Sequence, residues 1–166
     1  MVPTRARKAL VVSALLVALV LAGSVLAQFG YLPAPWSEDD ADVRVIGEDG
    51  TEKAAIDVEV ADTWGERYTG LSEHDSLAEG EGMLFVHSSE DDRTYVMRDM
   101  DFDIDIIFVG EERRINSIEH ARAPEPGEDG EELAYSGQAK WVLEVPRGYA
   151  NETGMEVGDE LEIDYE

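Results

Sequence analysis

Short apolar segments return about every ten residues along most of this chain, with turn signals between them, which is the spacing of strands in a β-meander or barrel. The clearest segment, at 55–61, has Ile56, Val58 and Val60 alternating with other residues. A period of two is typical of a strand with one buried face and one solvated face. Further segments of strand character lie at 43–46, 83–87, 94–97, 104–109, 114–119, 141–145 and 160–165. We therefore predict a mainly β (α+β) fold, built on a small antiparallel sheet or barrel-like domain.

One or two short helices interrupt this pattern. Thr63 and Glu66 have the spacing of a capping box, and Gly70 can end the helix in a left-handed conformation. A second helical turn can form at 151–155, whereas residues 121–137 have the proline, glycine and acid content of a long loop. We therefore expect the helices to connect strands rather than to form a layer of their own.

The N-terminal 27 residues have the pattern of a membrane-targeting segment. Arg5, Arg7 and Lys8 precede an uncharged run at 9–27, close to the roughly 20 residues that a helix needs to cross a bilayer. This run is either an uncleaved transmembrane anchor or a signal peptide cleaved after Ala27. Because the basic flank stays inside, we expect the chain at the cell membrane, with its C-terminal domain extracytoplasmic, or secreted if the leader is cleaved.

Composition divides the chain into three segments. After the leader, Pro33, Pro35 and the acids that follow them form a stretch with no hydrophobic period, as in a tether. We predict a leader at 1–27, an acidic linker with the first strand at 28–53, and a β domain at 54–166.

Acidic residues dominate the composition. The chain has 38 Asp and Glu against 13 Lys and Arg, for a net charge of −25. Such self-repulsion opposes compaction in dilute buffer, but near 1 M salt the screening length falls to about 3 Å. The composition is therefore typical of a halophilic protein. It also argues against a nucleic-acid partner, because no basic patch is present to displace counterions.

No motif identifies a catalytic residue, a metal or a cofactor. Cysteine is absent, which excludes disulfides and thiolate chemistry, and the sequence has no zinc spacing among its histidines and no glycine-rich phosphate loop. Four aspartates alternate at 99, 101, 103 and 105, but Ile104 stands where an EF-hand loop requires glycine. His120 at a strand end is a weak candidate for proton transfer.

Glu144 is a carboxylate inside the apolar run at 141–145. Burial of such a group is costly unless it is paired or faces a cleft. The simpler expectation is a structural bridge to an arginine. The alternative is a small polar pocket that binds a ligand with the same groups, with Arg67 and Arg98 as its basic members.

Asn151 begins an Asn-Glu-Thr acceptor pattern for N-linked glycan. The exported location predicted above would make this asparagine accessible to modification. The competing interpretation is that Asn151 is the N-cap of a short helix.

Six short motifs resemble, in order and spacing, the domain of unknown function 192 (DUF192) family. They are the residues at 66–71, 82–85, 95–99, 104–108, 142–145 with Gly148, and 158–159. The resemblance covers roughly residues 54–164, and the acidic composition suggests a haloarchaeal-type member. Val96 departs from the tryptophan usual in the family, Asp99 from asparagine and Asp103 from proline.

The resemblance implies a small, mostly β domain, often exported behind a signal or an anchor, with no established activity. Family members gather an arginine, methionines and acids on one side. In this chain the corresponding candidate ligand-binding residues are Arg67, Met83, Met97, Arg98, Asp105 and Glu144.

Three functions remain open from the sequence. The favoured one is a membrane-tethered binding or accessory module, in which Arg67, Arg98, Asp105 and Glu144 line a shallow site for a small polar ligand or a partner protein's tail. The second is an envelope-acting hydrolase with Asp105 and Glu144 as acid and base, which requires carboxyls about 5 to 9.5 Å apart across a cleft. The third is a purely structural domain, in which Arg67 and Glu144 are inaccessible and bonded to each other.

Overall fold

The computed structural model describes residues 40–165, which form a mostly β fold. Seven strands are present in this range: β1 (Asp40–Ile46), β2 (Glu52–Ala61), β3 (Glu81–Val96), β4 (Ile104–Val109), β5 (Ile115–Ala121), β6 (Ala134–Pro146) and β7 (Glu160–Tyr165). Two short α-helices, α1 (Trp64–Thr69) and α2 (Tyr149–Thr153), and two 3₁₀ turns, Gly70–Glu73 and Gly130–Glu132, connect them. The predicted mainly β class with two short helices is confirmed.

The strands form one sheet in the order β5-β4-β6-β3-β2-β1-β7. All neighbouring strands are antiparallel except β2 and β3, which are parallel. The prediction of a purely antiparallel sheet is therefore wrong at this pair. The reason lies in residues 62–80, which contain α1 and carry the chain back to the starting end of β2, as a parallel connection requires.

The sheet does not close into a barrel. Its edge strands β5 and β7 approach each other at one end, where the Ile115 N–H donates to the Asp159 carbonyl at 2.9 Å and the Leu161 N–H donates to the Arg113 carbonyl at 2.8 Å. The pairing between these edges is an isolated bridge between Arg114 and Glu160. The predicted barrel-like domain is thus an open sheet whose edges touch at one end.

Apolar side chains pack on both faces of the sheet and form two core clusters. On β4, Ile107 and Val109 belong to the first cluster, while Ile106 and Phe108 belong to the second. Every residue of β4 is buried, because the central strands are covered on both sides. Neighbouring positions of β4 and β6 therefore point into different parts of the core.

Several local predictions can be compared with the structure directly. The capping box is confirmed: the Glu66 N–H donates to Thr63 Oγ1 at 3.3 Å, and the Thr63 N–H donates to Glu66 Oε2 at 2.9 Å. The segments predicted at 83–87 and 94–97 are parts of one strand, β3, with an irregularity between Val86 and Asp91. Asn151 lies inside α2, whose N-cap is Gly148, so the N-cap interpretation of Asn151 is wrong.

The predicted leader at 1–27 and the linker as far as residue 39 lie outside the described residues. Within residues 40–165, no helix combines the length and the apolar character needed to cross a membrane. The anchor or signal at 9–27 remains a prediction from the sequence.

Candidate functional site

A pocket of about 390 Å³ opens on one face of the sheet beside α1. Its wall combines basic, acidic and apolar side chains, among them Arg67, Arg93, Arg98, Glu144, Phe85 and Ile104. The volume falls within the roughly 300 to 1,000 Å³ that small-molecule sites occupy. Three of the six residues expected to bind a ligand, Arg67, Arg98 and Glu144, therefore meet at one pocket.

Glu144 contributes a buried carboxyl group to this pocket. It lies on β6, in register with Met83 of β3 and Ile106 of β4, and is 6% exposed. Burial raises the pKa of Glu144 to about 8, because the low-dielectric surroundings disfavour the charged form. Within residues 40–165 its carboxyl has no hydrogen-bond partner. The group is thus largely protonated at neutral pH, with an O–H that is available to a ligand.

Tyr95 and His87 form a neutral pair on the pocket wall. The Tyr95 hydroxyl lies 3.0 Å from His87 Nε2. Burial lowers the pKa of His87 to about 4, and the positive charges of Arg93 and Arg67 contribute to the same shift. Burial also raises the pKa of Tyr95. Neither side chain carries a charge at neutral pH, so this pair adds no charge to the wall.

Backbone carbonyls hold the guanidinium group of Arg67 in place. Its Nη1 donates to the carbonyl of Val86 at 3.0 Å and to the carbonyl of Asp62. Within the described part of the chain, no ion pair joins Arg67 or any other base to Glu144. The predicted arginine bridge to Glu144 is therefore wrong. The sequence indicated that this carboxylate must be either paired or facing a cleft. The structure shows the second arrangement, because Glu144 lines a pocket.

Arg98 lies over the Tyr68 ring, with its guanidinium carbon 4.0 Å from the ring centroid. It also donates to the Tyr68 carbonyl, and its Nη1 is 3.5 Å from a carboxylate oxygen of Glu131. These contacts hold Arg98 beside the pocket, where the Tyr68 carbonyl and the Glu131 carboxylate occupy two of its nitrogen atoms.

Asp105 is completely buried and belongs to a different part of the molecule. Its Oδ1 lies 2.6 Å from His120 Nδ1 and 3.5 Å from Arg147 Nε, and its Oδ2 accepts from the backbone N–H groups of Gly148 at 2.9 Å and Ala150 at 3.1 Å. Asp105 therefore connects β4 to β5 and to the start of α2. The expectation that it lines one site with Arg67, Arg98 and Glu144 is wrong.

Strand register separates the two carboxylates. Asp105 pairs with Val145, whereas Glu144 pairs with Ile106. Because consecutive side chains of a strand point to opposite faces, Asp105 and Glu144 lie on opposite faces of the sheet. The structure therefore offers no shared cleft in which these two residues could act as an acid and base pair.

The remaining sequence candidates are core or surface residues. Met83 and Met97 are 6% and 0% exposed and pack in the second core cluster, and neither lines the pocket. Asp99, Asp101 and Asp103 are exposed whereas Asp105 is buried, so the four alternating aspartates do not share an environment. Among residues 40–165, no group of three or more acidic or imidazole side chains is arranged to hold a metal.

Asn151 is exposed on α2, and its glycosylation remains a prediction.

Sequence reasoning missed Arg93 and His87 on the pocket wall. Arg93 is two positions from Tyr95 on β3, so the period of a strand was a signal that both share a face. The same alternation does not extend back to His87, because β3 has an irregularity between Val86 and Asp91. His87 could therefore not be assigned to this face from the sequence.

The chain is similar to an uncharacterized protein family and to solved protein structures. The model of the DUF192 family, described as "Uncharacterized ACR", matches residues 45–163. A solved protein of unknown function from Novosphingobium aromaticivorans is 32% identical with a TM-score of 0.65, over 78% of this chain and 89% of that one. A proposed transcription regulator from Sinorhizobium meliloti has a TM-score of 0.68 at 24% identity, over 78% of this chain and 97% of that one, which is evidence for the fold alone. No protein with a curated description matches the chain. The matched span and the order of its motifs show that this chain belongs to the DUF192 family.

Proposed function

We propose that the domain is a small-molecule binding module and that the pocket containing Arg67, Arg98 and Glu144 is its binding site. The observation that carries this proposal is the buried Glu144 carboxyl, which faces the pocket without a hydrogen-bond partner among the described residues. A ligand in the pocket can accept the O–H of this carboxyl, and ionisable groups with shifted pKa values in clefts are characteristic of functional sites.

The other two functions receive less support. A hydrolase that uses Asp105 and Glu144 as its acid and base would need both carboxyls in one cleft, but they lie on opposite faces of the sheet. A purely structural role predicts a bond between Arg67 and Glu144, whereas Arg67 donates to backbone carbonyls. Binding needs neither arrangement.

We also propose that the module works outside the cytoplasm, tethered or secreted through residues 9–27, in a halophilic organism. The basic flank, the apolar run and the excess of acids support this. The Sinorhizobium protein is described as a proposed transcription regulator, but the net charge of −25 disfavours DNA as a partner of this chain. Mass spectrometry of the membrane fraction tests the location, and a peptide that spans Ala27 and Gln28 there would identify an uncleaved anchor.

The binding proposal is tested by titrating the full-length chain, in concentrated salt, with a library of anionic, cationic and neutral fragments while backbone amide resonances are recorded by NMR. We expect some fragments to shift resonances of the pocket wall. Glu144→Met keeps the volume and removes the O–H, so it should weaken these fragments, whereas Glu112→Gln changes an exposed acid away from the pocket and should not. If no fragment of any charge shifts the pocket resonances, the proposal is rejected.

A further inference from the structure

Most of the basic side chains in this acidic chain are paired with carboxylates. Residues 40–165 contain ten Lys and Arg. Those within 4.0 Å of a carboxylate oxygen are Arg44, Lys53, Arg98, Arg114, Arg122, Lys140 and Arg147. Arg67, Arg93 and Arg113 have no such partner among the described residues. Arg113 lies over the Trp141 ring, but Arg67 and Arg93 both line the pocket.

The two unpaired pocket arginines are held in ways that leave donors free. Arg67 uses only Nη1, on the carbonyls described above. Arg93 donates from Nε to the carbonyl of Ala139 at 3.3 Å and from Nη2 to the carbonyl of Ser89 at 2.6 Å. Nε and Nη2 of Arg67 and Nη1 of Arg93 thus have no partner within residues 40–165. Guanidinium groups with free N–H donors are suited to carboxylate or phosphate oxygens.

The positive charges of Arg67 and Arg93 act on the same side chain, that of His87. Both contribute to the lowered pKa of His87, whose ring lies on the pocket wall. The acids on this wall are Asp92, which is exposed and accepts from Gln138 Nε2 at 2.6 Å, and Glu144, which is mostly protonated at neutral pH. The pocket is therefore locally positive on a molecule whose net charge is −25.

Apolar side chains complete the pocket. Phe85 and Ile104 are almost fully buried at its base, and Leu71 and Met100 also line it. A ligand that consisted of charge alone, such as a free inorganic ion, would leave this apolar wall in contact with water. A ligand with an apolar body would cover it and gain free energy from the buried area.

We infer that the pocket binds a small organic anion, with a carboxylate or phosphate group at Arg67 and Arg93 and an apolar body against Phe85 and Ile104. This inference rests on the proposed function and names the chemical class of its ligand. Glu144 would donate its O–H to an acceptor oxygen of the same ligand.

The inference is tested with matched probes on the full-length chain at constant ionic strength. Benzoate and phenyl phosphate carry the two anionic groups on one ring, and benzamide and benzyl alcohol are their neutral counterparts. We expect the anions to bind more tightly than the neutral probes by about tenfold. Arg67→Gln and Arg93→Gln should each remove about that factor, while Arg113→Gln, which removes an unpaired arginine outside the pocket, should leave the affinity unchanged. The stronger of the two anions identifies the group that the site prefers.

Two outcomes would overturn the inference and leave the proposed function in place. One is equal binding of neutral and anionic probes at the pocket. The other is an equal loss of anion affinity in Arg113→Gln and in the two pocket variants, which would indicate general charge screening. Arg67→Lys and Arg93→Lys retain the charge if a glutamine variant fails to fold, and we expect them to bind benzoate more weakly than the native chain but more tightly than the glutamine variants. Failure of all four probes to reach the pocket would also overturn the inference, whereas the proposed function is rejected only by the fragment titration described above.

Discussion

Asp105 and Glu144 are both buried carboxyl groups in the centre of the sheet, but they have opposite surroundings. Asp105 interacts with His120 and Arg147 and accepts from two backbone N–H groups of the segment that starts α2. Glu144 has no hydrogen-bond partner among the described residues and faces a pocket. A buried polar group with all its partners supplied by the fold stabilises that fold. A buried polar group without them indicates a place where a partner comes from outside.

The difference also concerns charge. Asp105 lies 2.6 Å from His120 Nδ1 and 3.5 Å from Arg147 Nε, so basic side chains surround it. Burial raises the pKa of Glu144 to about 8, and no ion pair within residues 40–165 opposes this shift. One carboxyl is therefore part of the scaffold, and the other is poised to respond to a ligand or to pH.

The largest effect is expected from Asp105→Ala. The N–H groups of Gly148 and Ala150 lose their acceptor, and Arg147 loses its carboxylate, so we expect the free energy of unfolding to fall by about 3–5 kcal/mol. Urea unfolding in concentrated salt measures it. Asp101→Ala removes an exposed acid and should change stability by less than about 0.5 kcal/mol. A loss of under 1 kcal/mol for Asp105→Ala would contradict its structural role.

The second effect concerns Glu144 and pH. Because the folded pKa is about 8 and the ordinary value is 4.5, the folded protein holds a proton that the unfolded chain releases between these pH values. Stability is therefore fully present below pH 4.5 and is lost as pH rises toward 8, by up to about 1.4 kcal/mol per pH unit. The difference in unfolding free energy between the native chain and Glu144→Gln should therefore change with that slope between pH 6.5 and 8. Parallel curves would show that Glu144 is already ionised at neutral pH.

A smaller effect is expected from His120→Ala. This change removes one of the partners of Asp105 at a side chain that is 37% exposed, and the two backbone donors remain. We expect a loss of about 1–2 kcal/mol, less than for Asp105→Ala. A double-mutant cycle with both changes measures the coupling. Full additivity in that cycle would show that the imidazole and the carboxylate do not interact.

The smallest effect is expected at His87, and it tests the positive character of the pocket. Arg67→Gln removes a charge that lowers the pKa of His87, so that pKa should rise from about 4 by less than about one unit, because burial remains the larger cause. An NMR titration of the imidazole resonances measures the change. Arg113→Gln serves as the control and should leave the titration curve where it is. An unchanged pKa in Arg67→Gln would mean that its charge does not reach the pocket.

Local features of the fold could be predicted from the sequence. The capping box at Thr63 and Glu66 depends on neighbouring residues alone, and the alternation in β2 depends only on the period of a strand. The parallel pairing of β2 with β3 could not be predicted in this way, because it depends on where the 62–80 connection places the next strand. The length of β3 was also hidden, because exposed polar residues interrupt its apolar pattern between Val86 and Thr94.

The candidate site was predicted in part. The family motifs grouped Arg67, Arg98 and Glu144, and these three residues line one pocket in the structure. They also suggested Asp105, which lies on the other face. A shift of one residue in strand register moves every side chain to the opposite face, and no local pattern in β4 or β6 specifies that register.

The sequence by itself determined the strand and helix types, the acidic surface and the need for a special environment at Glu144, because these follow from residue chemistry and short-range spacing. Only the tertiary structure decided which carboxylate is satisfied and which one faces a pocket. The physical reason is that partners such as His120 and the Ala150 N–H reach Asp105 across 15 and 45 residues of chain, so contact is set by strand pairing and not by distance along the sequence.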